Sequence, residues 1–247
     1  MEARMTSKKK KMIYEGKAKI LHETSNPDQL VQEFKDDATA FNGAKKGKIQ
    51  NKGVINNKIS AQLFRYLESY NVPTHFISES GEDEMLIRKL QMIPLEVVMR
   101  NIASGSLVKK AGAKEGQILE KPILEFYLKD DAKNDPMIDE TYILSNGLAT
   151  SEELRIISRM AGKVNAVLKS FFLRRGLKLV DFKVEFGRAR NKIFLADEIS
   201  PDTCRLWDVK TDKKMDKDRF RQDLGGIEEA YEEVLRRVLR TDDIKEG

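Results

Sequence analysis

The sequence contains a single cysteine in 247 residues, so Cys204 has no partner for an internal disulfide bond. A chain without disulfides is typical of a reducing compartment, and we expect a cytoplasmic protein. Histidine is almost as scarce. His22 and His75 are isolated and lack the spacing of a metal site or a catalytic triad, so we expect structural roles for both histidines and for the cysteine.

The sequence also lacks a long apolar run. Nowhere do about 18 apolar residues follow one another, which excludes a helix that spans a membrane. The first residues, MEARMTSKKKK, carry the positive charge of a secretion signal, but the stretch MIYEGKAK follows where such a signal needs an apolar segment. We therefore expect neither secretion nor a membrane partner.

A strong excess of one charge is absent as well. The 45 Lys and Arg against 40 Asp and Glu leave a net charge of +5, which suits an anionic ligand, nucleic acid or simply solvated lysines. The segment NGAKKGKIQNKGVINNK is rich in lysine, but no aromatic residues alternate with the lysines, as they would on a surface that stacks nucleic-acid bases. We predict a mobile loop over residues 43–58 and no nucleic-acid partner.

The sequence does contain both strand and helix patterns. The β-type residues of MIYEGKAKILHET and QLVQEFKDDATAF, separated by the turn signal SNPD, predict a hairpin-rich start. Apolar residues at helical spacing predict helices within residues 56–73, 150–176 and 227–240, the second opening with a capping box from Thr150 to Glu153. Strands mixed with separate long helices indicate an α+β fold with mostly antiparallel strands.

Pro94 separates two apolar runs, EMLIRKLQMIP and LEVVMRNIA. Proline in a central strand removes a hydrogen bond of the ladder, so we predict that the strand breaks here and that a linker joins two lobes. The predicted division is an N-terminal β-rich domain over residues 1–92 and a C-terminal α+β domain over residues 93–247.

The strand LVDFKVEFG alternates between apolar and charged residues, which face opposite sides of an extended chain. The predicted apolar face carries Val180, Phe182, Val184 and Phe186, and the charged face carries Asp181, Lys183 and Glu185.

A hairpin through GRARNK returns the chain as IFLADEIS and brings Asp197 near this charged face. If the loop has an odd number of residues, Glu185 and Asp197 share a face and lie within reach of one cation. Two such carboxylates repel each other unless a cation lies between them, and oxygen ligands favour Mg²⁺ holding phosphate oxygens. Alternatively, the face is solvated and Lys183 bridges the two acids.

Two further segments could bind anions. In RNIASGSLVKKAG, residues 104–106 precede a short helical stretch whose free N–H groups suit a phosphate or carboxylate beside Arg100, although an ordinary serine N-cap has the same pattern. In EGKAK, Gly16 with Lys17 and Lys19 could close over phosphates, although a plain surface hairpin has the same residues. The Walker pattern GxxxxGK[ST] is absent.

Seven blocks between Met12 and Leu239 resemble the phosphoribosylaminoimidazole-succinocarboxamide synthase (SAICAR synthetase) family, in the family's order. They are YEGKAK, ATAFNGAKK, IPLEVVMRNIASGSLVKK, FYLKDDAKNDP, VDFKVEFG, LADEISPDTCRLWD and MDKDRFRQDLGG. In the second block, Asn42 stands where some relatives carry an acid.

The resemblance implies an ATP-dependent ligase that joins L-aspartate to carboxyaminoimidazole ribonucleotide (CAIR) in de novo purine synthesis, with Mg²⁺. It implies an α+β fold in which an N-terminal antiparallel sheet domain and a larger C-terminal domain enclose ATP in a cleft similar to that of protein kinases. It also implies a homodimer. The rival functions are a kinase-like phosphotransferase and a basic nucleic-acid-binding module.

The resemblance further assigns residues to the substrates. The implied ATP-binding residues are Gly16, Lys17, Lys19, Lys89 and Met92. The implied metal ligands are Glu185 and Asp197. The implied residues for the nucleotide substrate are Arg100, Ser106, Asp181 and Arg205. Our hypothesis adds Lys183 as a catalytic residue that, like Arg205, acts through its positive charge.

Overall fold

The computed structural model describes residues 9–41 and 43–240. This part of the chain forms thirteen strands and six helices, and the strands pair in antiparallel fashion, so the α+β prediction is confirmed. The strands are β1 Met12–Glu15, β2 Lys19–Glu23, β3 Gln29–Phe34, β4 Asp37–Ala40, β5 Lys45–Lys48, β6 Phe76–Glu79, β7 Glu84–Arg88, β8 Gln91–Ile102, β9 Ile118–Leu128, β10 Met137–Ile138, β11 Leu177–Ala189, β12 Lys192–Ala196 and β13 Cys204–Asp208. The helices are α1 Lys52–Ser69, α2 Ser106–Ala111, α3 Glu140–Ser145, α4 Ser151–Arg174, α5 Asp218–Arg221 and α6 Ile227–Val238.

The N-terminal sheet contains five strands in the order β1, β2, β3, β7, β6. Its first two strands form a hairpin whose turn contains Gly16, which confirms the predicted hairpin-rich start. Helix α1 packs against this sheet, and its buried Leu63 and Leu67 belong to the same hydrophobic core as Leu30 and Phe34 of β3.

The larger sheet is built around β11. Its order is β10, β9, β8, β11, β12, and β13 also pairs with β11. Phe182, Val184 and Phe186 are buried in the hydrophobic core as predicted, and α4 packs against their strand. Each of these side chains contributes on the order of 2 kcal/mol by burial, so the sheet that carries the charged face is firmly held.

Val180 departs from the predicted alternation. It packs with Ile102 and Trp207 in a separate small cluster and not with Phe182. The reason is a bulge, because the pairing of β11 with β13 shifts by one residue between Leu179 and Asp181. A single inserted residue reverses the faces of the strand, so the prediction was wrong at this position.

Pro94 does not break the chain into two strands. Strand β8 continues through it, because residues 93–95 bulge between the pairs that Met92 and Glu96 make with β11. In a bulge the missing N–H of proline is not needed, and the Pro94 carbonyl accepts a hydrogen bond from Lys129 N at 3.1 Å. The predicted break was wrong.

Residues 43–58 are also more regular than predicted. Strand β5 pairs with β4 in a small separate sheet, and α1 begins at Lys52. Asn51 has a left-handed backbone with φ 59°, which turns the chain from the hairpin into the helix. The mobile-loop prediction was wrong, because apolar spacing gave no signal for a helix that begins with KGVINNK. Asn42 lies outside the described residues.

The predicted helices are confirmed. At the start of α4, Glu153 N donates to Thr150 Oγ1 at 3.2 Å and Thr150 N donates to Glu153 Oε2 at 2.8 Å, which is the predicted capping box. Gly176 follows α4 with a left-handed φ of 70°, and α6 lies within its predicted range, whereas α1 begins at Lys52, before its predicted range 56–73.

The predicted domain boundary after Met92 lies close to the change of sheet, since β7 ends at Arg88 and β8 begins at Gln91. Side chains of both larger sheets nevertheless share one hydrophobic core. The division into two domains stays a prediction. None of the helices in the described part of the chain is long and apolar enough to cross a membrane.

Candidate active site

A cleft of about 1170 Å³ is lined by residues of both larger sheets. The β1–β2 turn contributes Gly16 and Lys17, and the larger sheet contributes the charged face of β8, β9 and β11. The segment 197–205, which follows β12, completes one wall. The cleft therefore brings together segments that lie far apart in the sequence.

The charged face of β11 continues across its neighbours. Asp181 lies opposite Arg100 of β8, and Glu185 lies opposite Glu96, which in turn lies opposite Tyr127 of β9. Directly opposed residues of antiparallel strands share a face. The face predicted from one strand is therefore a surface three strands wide.

Asp197 reaches this surface by a route that strand alternation does not predict. The β11–β12 turn contains two residues, 190–191, both left-handed, so Glu185 lies opposite Ala196 and the condition of an odd loop length is not met. Asp197 itself has a left-handed backbone with φ 71° directly after β12. The alternation ends there, and the Asp197 carboxylate lies 3.3 Å from Lys183 Nζ on the charged face.

Lys183 lies at the centre of an ion cluster. Its Nζ atom lies 2.9 Å from Glu96 Oε1, 3.3 Å from Glu185 Oε1 and 3.3 Å from Asp197 Oδ2. The alternative in which Lys183 bridges Glu185 and Asp197 thus describes the geometry of these three side chains. The oxygen of Asp197 in this bridge, Oδ2, lies 3.3 Å from Lys183 Nζ and accepts no hydrogen bond within the described residues.

Two more lysines complete the cluster. Lys19 of β2 contacts Asp197 and lies 3.1 Å from Glu198, and Lys129 lies 2.6 Å from Glu185. Lys19 comes from the N-terminal sheet, so this ion pair connects the two sheets across the cleft. The acids that follow strand β12 are neutralised by lysines from three different strands or strand ends.

The cluster shifts the pKa values of its members. Burial alone would raise the pKa of Asp197, but Lys183, Lys19 and Lys129 outweigh it and hold this pKa far below its ordinary value. Burial would lower the pKa values of Lys19 and Lys183, but their carboxylate neighbours raise both above the ordinary value. At neutral pH all three groups are therefore charged.

The chemistry of these donors fits Mg²⁺. Asp197 Oδ2 is buried and accepts no hydrogen bond within the described residues. The four carboxylates of the cluster exceed its three lysines by one negative charge. No group of three or more metal-ligating side chains occurs in the part of the chain that the structure describes, but Mg²⁺ usually takes one or two carboxylates together with phosphate oxygens and water. Glu185 and Asp197 fit that pattern.

Arg100 organises a second part of the cleft. Its Nη1 atom donates to Asp181 Oδ2 at 3.0 Å and its Nη2 atom to Ser106 Oγ at 2.8 Å. Its Nε atom donates to Glu125 Oε2 at 2.8 Å, and the Tyr127 hydroxyl donates to the same Glu125 oxygen at 2.7 Å. The structure thus brings Arg100, Ser106 and Asp181 together, as the resemblance implies.

Arg205 lies opposite Asp181 on β13 and binds it with Nη1, at 2.9 Å from Oδ2. Its Nε atom donates to Asp218 Oδ2 at 2.8 Å. Nearby, Asp216 accepts hydrogen bonds from the backbone N–H groups of Leu206 and Asp218, each at 2.8 Å. Burial and the charge of Asp218 raise the pKa of Asp216 to about 7.

The β1–β2 turn lies at the cleft as the EGKAK motif predicts. Gly16 N donates to Lys19 O at 2.8 Å and closes the turn. A Cβ atom at Gly16 would lie 3.1 Å from the ring of Tyr14, so glycine allows this ring to lie against the turn. The binding of ATP phosphates by Gly16, Lys17 and Lys19 stays a prediction.

Lys89 and Met92 lie where β7 joins β8, and both are exposed. Neither is among the described residues that line the cleft. Their predicted place beside the adenine also stays a prediction.

A buried cluster around Asp202 was missed by the sequence analysis. Asp202 Oδ2 lies 3.1 Å from Lys52 Nζ at the start of α1 and 3.2 Å from Lys217 Nζ. Its other oxygen accepts a hydrogen bond from the Tyr231 hydroxyl of α6 at 2.7 Å. The SPDT turn, residues 200–203, is thus held by two helices.

Several other site residues were missed although a signal exists. Glu125, Tyr127 and Lys129 are spaced two residues apart along and just beyond β9, so the alternation rule applied to β11 would place them on one face. By the same rule, Glu96 shares a face of β8 with the predicted Arg100, but the break predicted at Pro94 obscured that strand. Asp202 offers no such signal, because its partners come from distant helices.

The scarce residues have the environments expected of structural groups. His22 lies 3.0 Å from Glu33, and His75 is buried, with burial lowering its pKa to about 4. Cys204 is buried in the core, and burial raises the pKa of its thiol above the ordinary value. None of these three side chains has the environment of an activated nucleophile or base.

Comparisons with known proteins agree on one family. The sequence matches the family model described as SAICAR synthetase over residues 12–238. The phosphoribosylaminoimidazole-succinocarboxamide synthase of Chloroherpeton thalassium is 59% identical over 232 residues, which cover 94% of this chain and 99% of the relative. The crystal structure of the enzyme of that name from Ehrlichia chaffeensis matches with a TM-score of 0.91 and 47% identity, over 92% of this chain and 98% of that one. A SAICAR synthetase in complex with ADP matches with a TM-score of 0.90 and 46% identity, over 93% and 97% of the two chains.

Proposed function

Because the chain belongs to the SAICAR synthetase family, it is an ATP-dependent ligase of purine biosynthesis, and we propose that its cleft joins L-aspartate to CAIR through an acyl phosphate. The observation that carries this proposal is the ion cluster around Lys183. It gathers cations for phosphate oxygens and carboxylates for a metal from both sheets at one point of the cleft.

ATP binds between the sheets in this proposal. Gly16 and Lys17 cover its phosphates, Lys19 contacts them from β2, and Lys89 and Met92 flank the adenine. Support comes from the position of the β1–β2 turn at the cleft and from the structural neighbour that contains ADP. Glu185 and Asp197 hold Mg²⁺, which when bound offsets negative charge on the phosphates.

CAIR binds beside the arginine cluster. Arg100, Ser106 and Arg205 bind its phosphate and carboxylate, and Asp181 contacts its imidazole or ribose. Support comes from the hydrogen bonds that already orient these groups, since Asp181 binds both guanidinium groups at 3.0 and 2.9 Å. Bidentate and charge-assisted contacts of this kind fix the orientation of a planar anion.

The chemistry then follows from charge. A carboxylate oxygen of CAIR attacks the γ-phosphorus of ATP and ADP leaves, which forms an acyl phosphate. The amine of L-aspartate attacks the acyl carbon, the C–O bond to phosphate breaks, and the amine loses a proton as the amide forms. Lys183 stabilises negative charge on the transferred phosphoryl group, because its Nζ atom is held charged at the centre of the cluster.

The proposal also covers the compartment, the oligomeric state and the partners of the enzyme. We propose a cytoplasmic homodimer that takes small-molecule substrates, with neither nucleic acid nor membrane as a partner. The single buried cysteine is consistent with a reducing compartment.

The test is a turnover assay in which ATP, Mg²⁺, CAIR and L-aspartate are omitted one at a time. We expect one ADP and one succinocarboxamide per cycle, and no sustained ADP release without aspartate. CAIR labelled with ¹⁸O in its carboxylate should transfer one label to phosphate. ADP release that ignores aspartate would instead indicate a kinase-like phosphotransferase, and phosphate without label would exclude the acyl phosphate.

A further inference from the structure

Gly105 lies directly against the guanidinium group of Arg205. It precedes α2 with φ 57° and ψ −124°, a backbone conformation that essentially only glycine adopts. A Cβ atom at this position would lie 2.6 Å from Arg205 Nη2, 2.9 Å from Cζ and 3.1 Å from Nη1. The guanidinium plane therefore occupies the space that any side chain at residue 105 would need.

Arg205 cannot move away from Gly105 without weakening its own hydrogen bonds. Its Nη1 atom binds Asp181 and its Nε atom binds Asp218 at 2.8 Å, and Asp181 is itself held by Arg100 at 3.0 Å. Moving the guanidinium away from Gly105 would stretch these hydrogen bonds. Two of the bonded carboxylates are almost fully buried, and a buried carboxylate that loses a partner is costly.

The third nitrogen of this guanidinium is available for a ligand. Nε and Nη1 donate to Asp218 and Asp181, whereas Nη2, the atom nearest Gly105, donates to no acceptor among the described side chains and backbone, and Arg205 lines the cleft. Arg100, which shares Asp181 with Arg205, donates from Nη2 to Ser106 Oγ at 2.8 Å and to the Tyr127 hydroxyl at 3.2 Å. An anion bound between these two guanidinium groups would lie beside the backbone of Gly105.

We propose that Gly105 is a positioning residue for Arg205. Its missing side chain allows Nη1 and Nε to stay on their carboxylates while Nη2 points to an anionic group of the nucleotide substrate. The inference rests on the proposed function, which assigns Arg205 to that substrate. A side chain at residue 105 displaces Arg205 and weakens binding of CAIR, whereas ATP is bound by other residues.

The test is a double-mutant cycle with Gly105→Ala, Arg205→Ala and the double variant. Gly105→Ala should raise the KM for CAIR by about tenfold or more and leave the KM for ATP within about twofold. In the Arg205→Ala background, Gly105→Ala should add a clearly smaller factor than in wild type, because only the backbone strain is left and no guanidinium is displaced. An equal factor in both backgrounds would mean backbone strain alone and would overturn the proposal, as would an unchanged KM in the single variant.

Gly112→Ala is the matched control. Gly112 follows the same helix with a positive φ of 65°, and a Cβ atom there would meet nothing within 4 Å. The control therefore places a side chain at a left-handed residue of the same helix without a collision, and its KM for CAIR should stay within about twofold of wild type; the strain specific to Gly105 is measured in the Arg205→Ala background.

Thermal unfolding of the same proteins tests the contact without turnover. Gly105→Ala should lower the Tm in the wild-type background, and it should lower the Tm less in the Arg205→Ala background. Strictly additive changes in Tm would overturn the proposal. If Gly105→Ala is insoluble, the same cycle is measured by soluble yield: a double variant with no lower yield than Arg205→Ala supports the contact, and a further loss as large as in wild type overturns it. If the wild-type protein shows no turnover, the proposed function is overturned, and the Tm values of the same proteins still test the contact between Gly105 and Arg205.

Discussion

Lys183 Nζ lies 3.3 Å from Asp197 Oδ2, which places a cation from the middle of β11 against the first residue after β12. Asp197 reaches this position because its left-handed backbone ends the alternation of the strand. The same carboxylate contacts Lys19 of the opposite sheet. One acid therefore joins both sides of the cleft, with Oδ1 on Lys19 and Oδ2 beside Lys183.

Removing Lys183 should affect both rate and pH dependence. Lys183→Ala removes the charge proposed to stabilise phosphoryl transfer, and we expect kcat/KM to fall by about 100-fold or more. It also removes a cation that lowers the pKa of Asp197, so this pKa should rise toward its ordinary value. Activity that needs ionised Asp197 is lost as pH falls through that pKa. The acid limb of kcat/KM should therefore move to higher pH than in wild type.

Lys178→Ala provides the control for this variant. Lys178 lies on the same strand and pairs with exposed Asp212 at 2.6 Å, far from the charged cluster. Its rate and acid limb should match those of wild type. A Lys183→Ala enzyme with unchanged turnover would contradict the proposed role.

Asp216 should make stability depend on pH. Burial and Asp218 raise its pKa from 3.8 in the unfolded chain to about 7 in the folded protein. Between these values the folded protein binds a proton that the unfolded chain has lost, so this group's contribution to the free energy of unfolding falls as pH rises. Asp216→Asn should flatten the decline measured by urea unfolding between about pH 5 and about pH 8. Asp28→Asn, which changes an exposed ion pair, should keep the wild-type dependence of the free energy of unfolding on pH. The same pH dependence in Asp216→Asn and wild type would count against the raised pKa.

The link between α6 and the SPDT turn should contribute to stability. Tyr231→Phe removes the hydroxyl that donates to buried Asp202, and we expect a loss of about 1 to 3 kcal/mol in the free energy of unfolding. Tyr70→Phe, which changes an exposed hydroxyl, should cost less than about 0.5 kcal/mol. If urea unfolding gives the same loss in the free energy of unfolding for both variants, the buried hydrogen bond contributes nothing to stability.

Cys204 should be unreactive in the folded protein. It is 3% exposed, and burial raises the pKa of its thiol, so the reactive thiolate is scarce at pH 8. A chromogenic disulfide reagent should titrate one thiol per chain only after unfolding in guanidinium chloride. Rapid titration of the native enzyme would contradict this environment, and Cys204→Ala should retain most activity.

Much of the site could be predicted because it follows local rules. Alternation along LVDFKVEFG indicates Asp181, Lys183 and Glu185 without any knowledge of the partner strands. The capping box and apolar spacing of α4 are equally local. Composition and periodicity alone therefore predict the charged face of one strand and the longest helix.

Features that depend on distant parts of the chain could not be predicted in this way. Pro94 is compatible with β8 only because the ladder bulges at that point. Asp197 points into the cleft because of one backbone angle, and Asp202 is buried only because Lys52 and Tyr231 come from two separate helices. The need for glycine at position 105 comes from Arg205, which lies a hundred residues later in the sequence. Tertiary contacts decide each of these positions.

The most direct measurement compares succinocarboxamide formation by wild type, Asp197→Asn and Asp212→Asn with ATP, Mg²⁺, CAIR and L-aspartate. Asp212 is the matched control, because it also has a left-handed backbone and pairs with a lysine, but its side chain is exposed. We predict robust product formation by wild type and Asp212→Asn, and a loss of at least about 100-fold in Asp197→Asn. Full activity in Asp197→Asn would contradict the metal and nucleotide site proposed here, and folded wild type that forms no product would contradict the ligase activity itself.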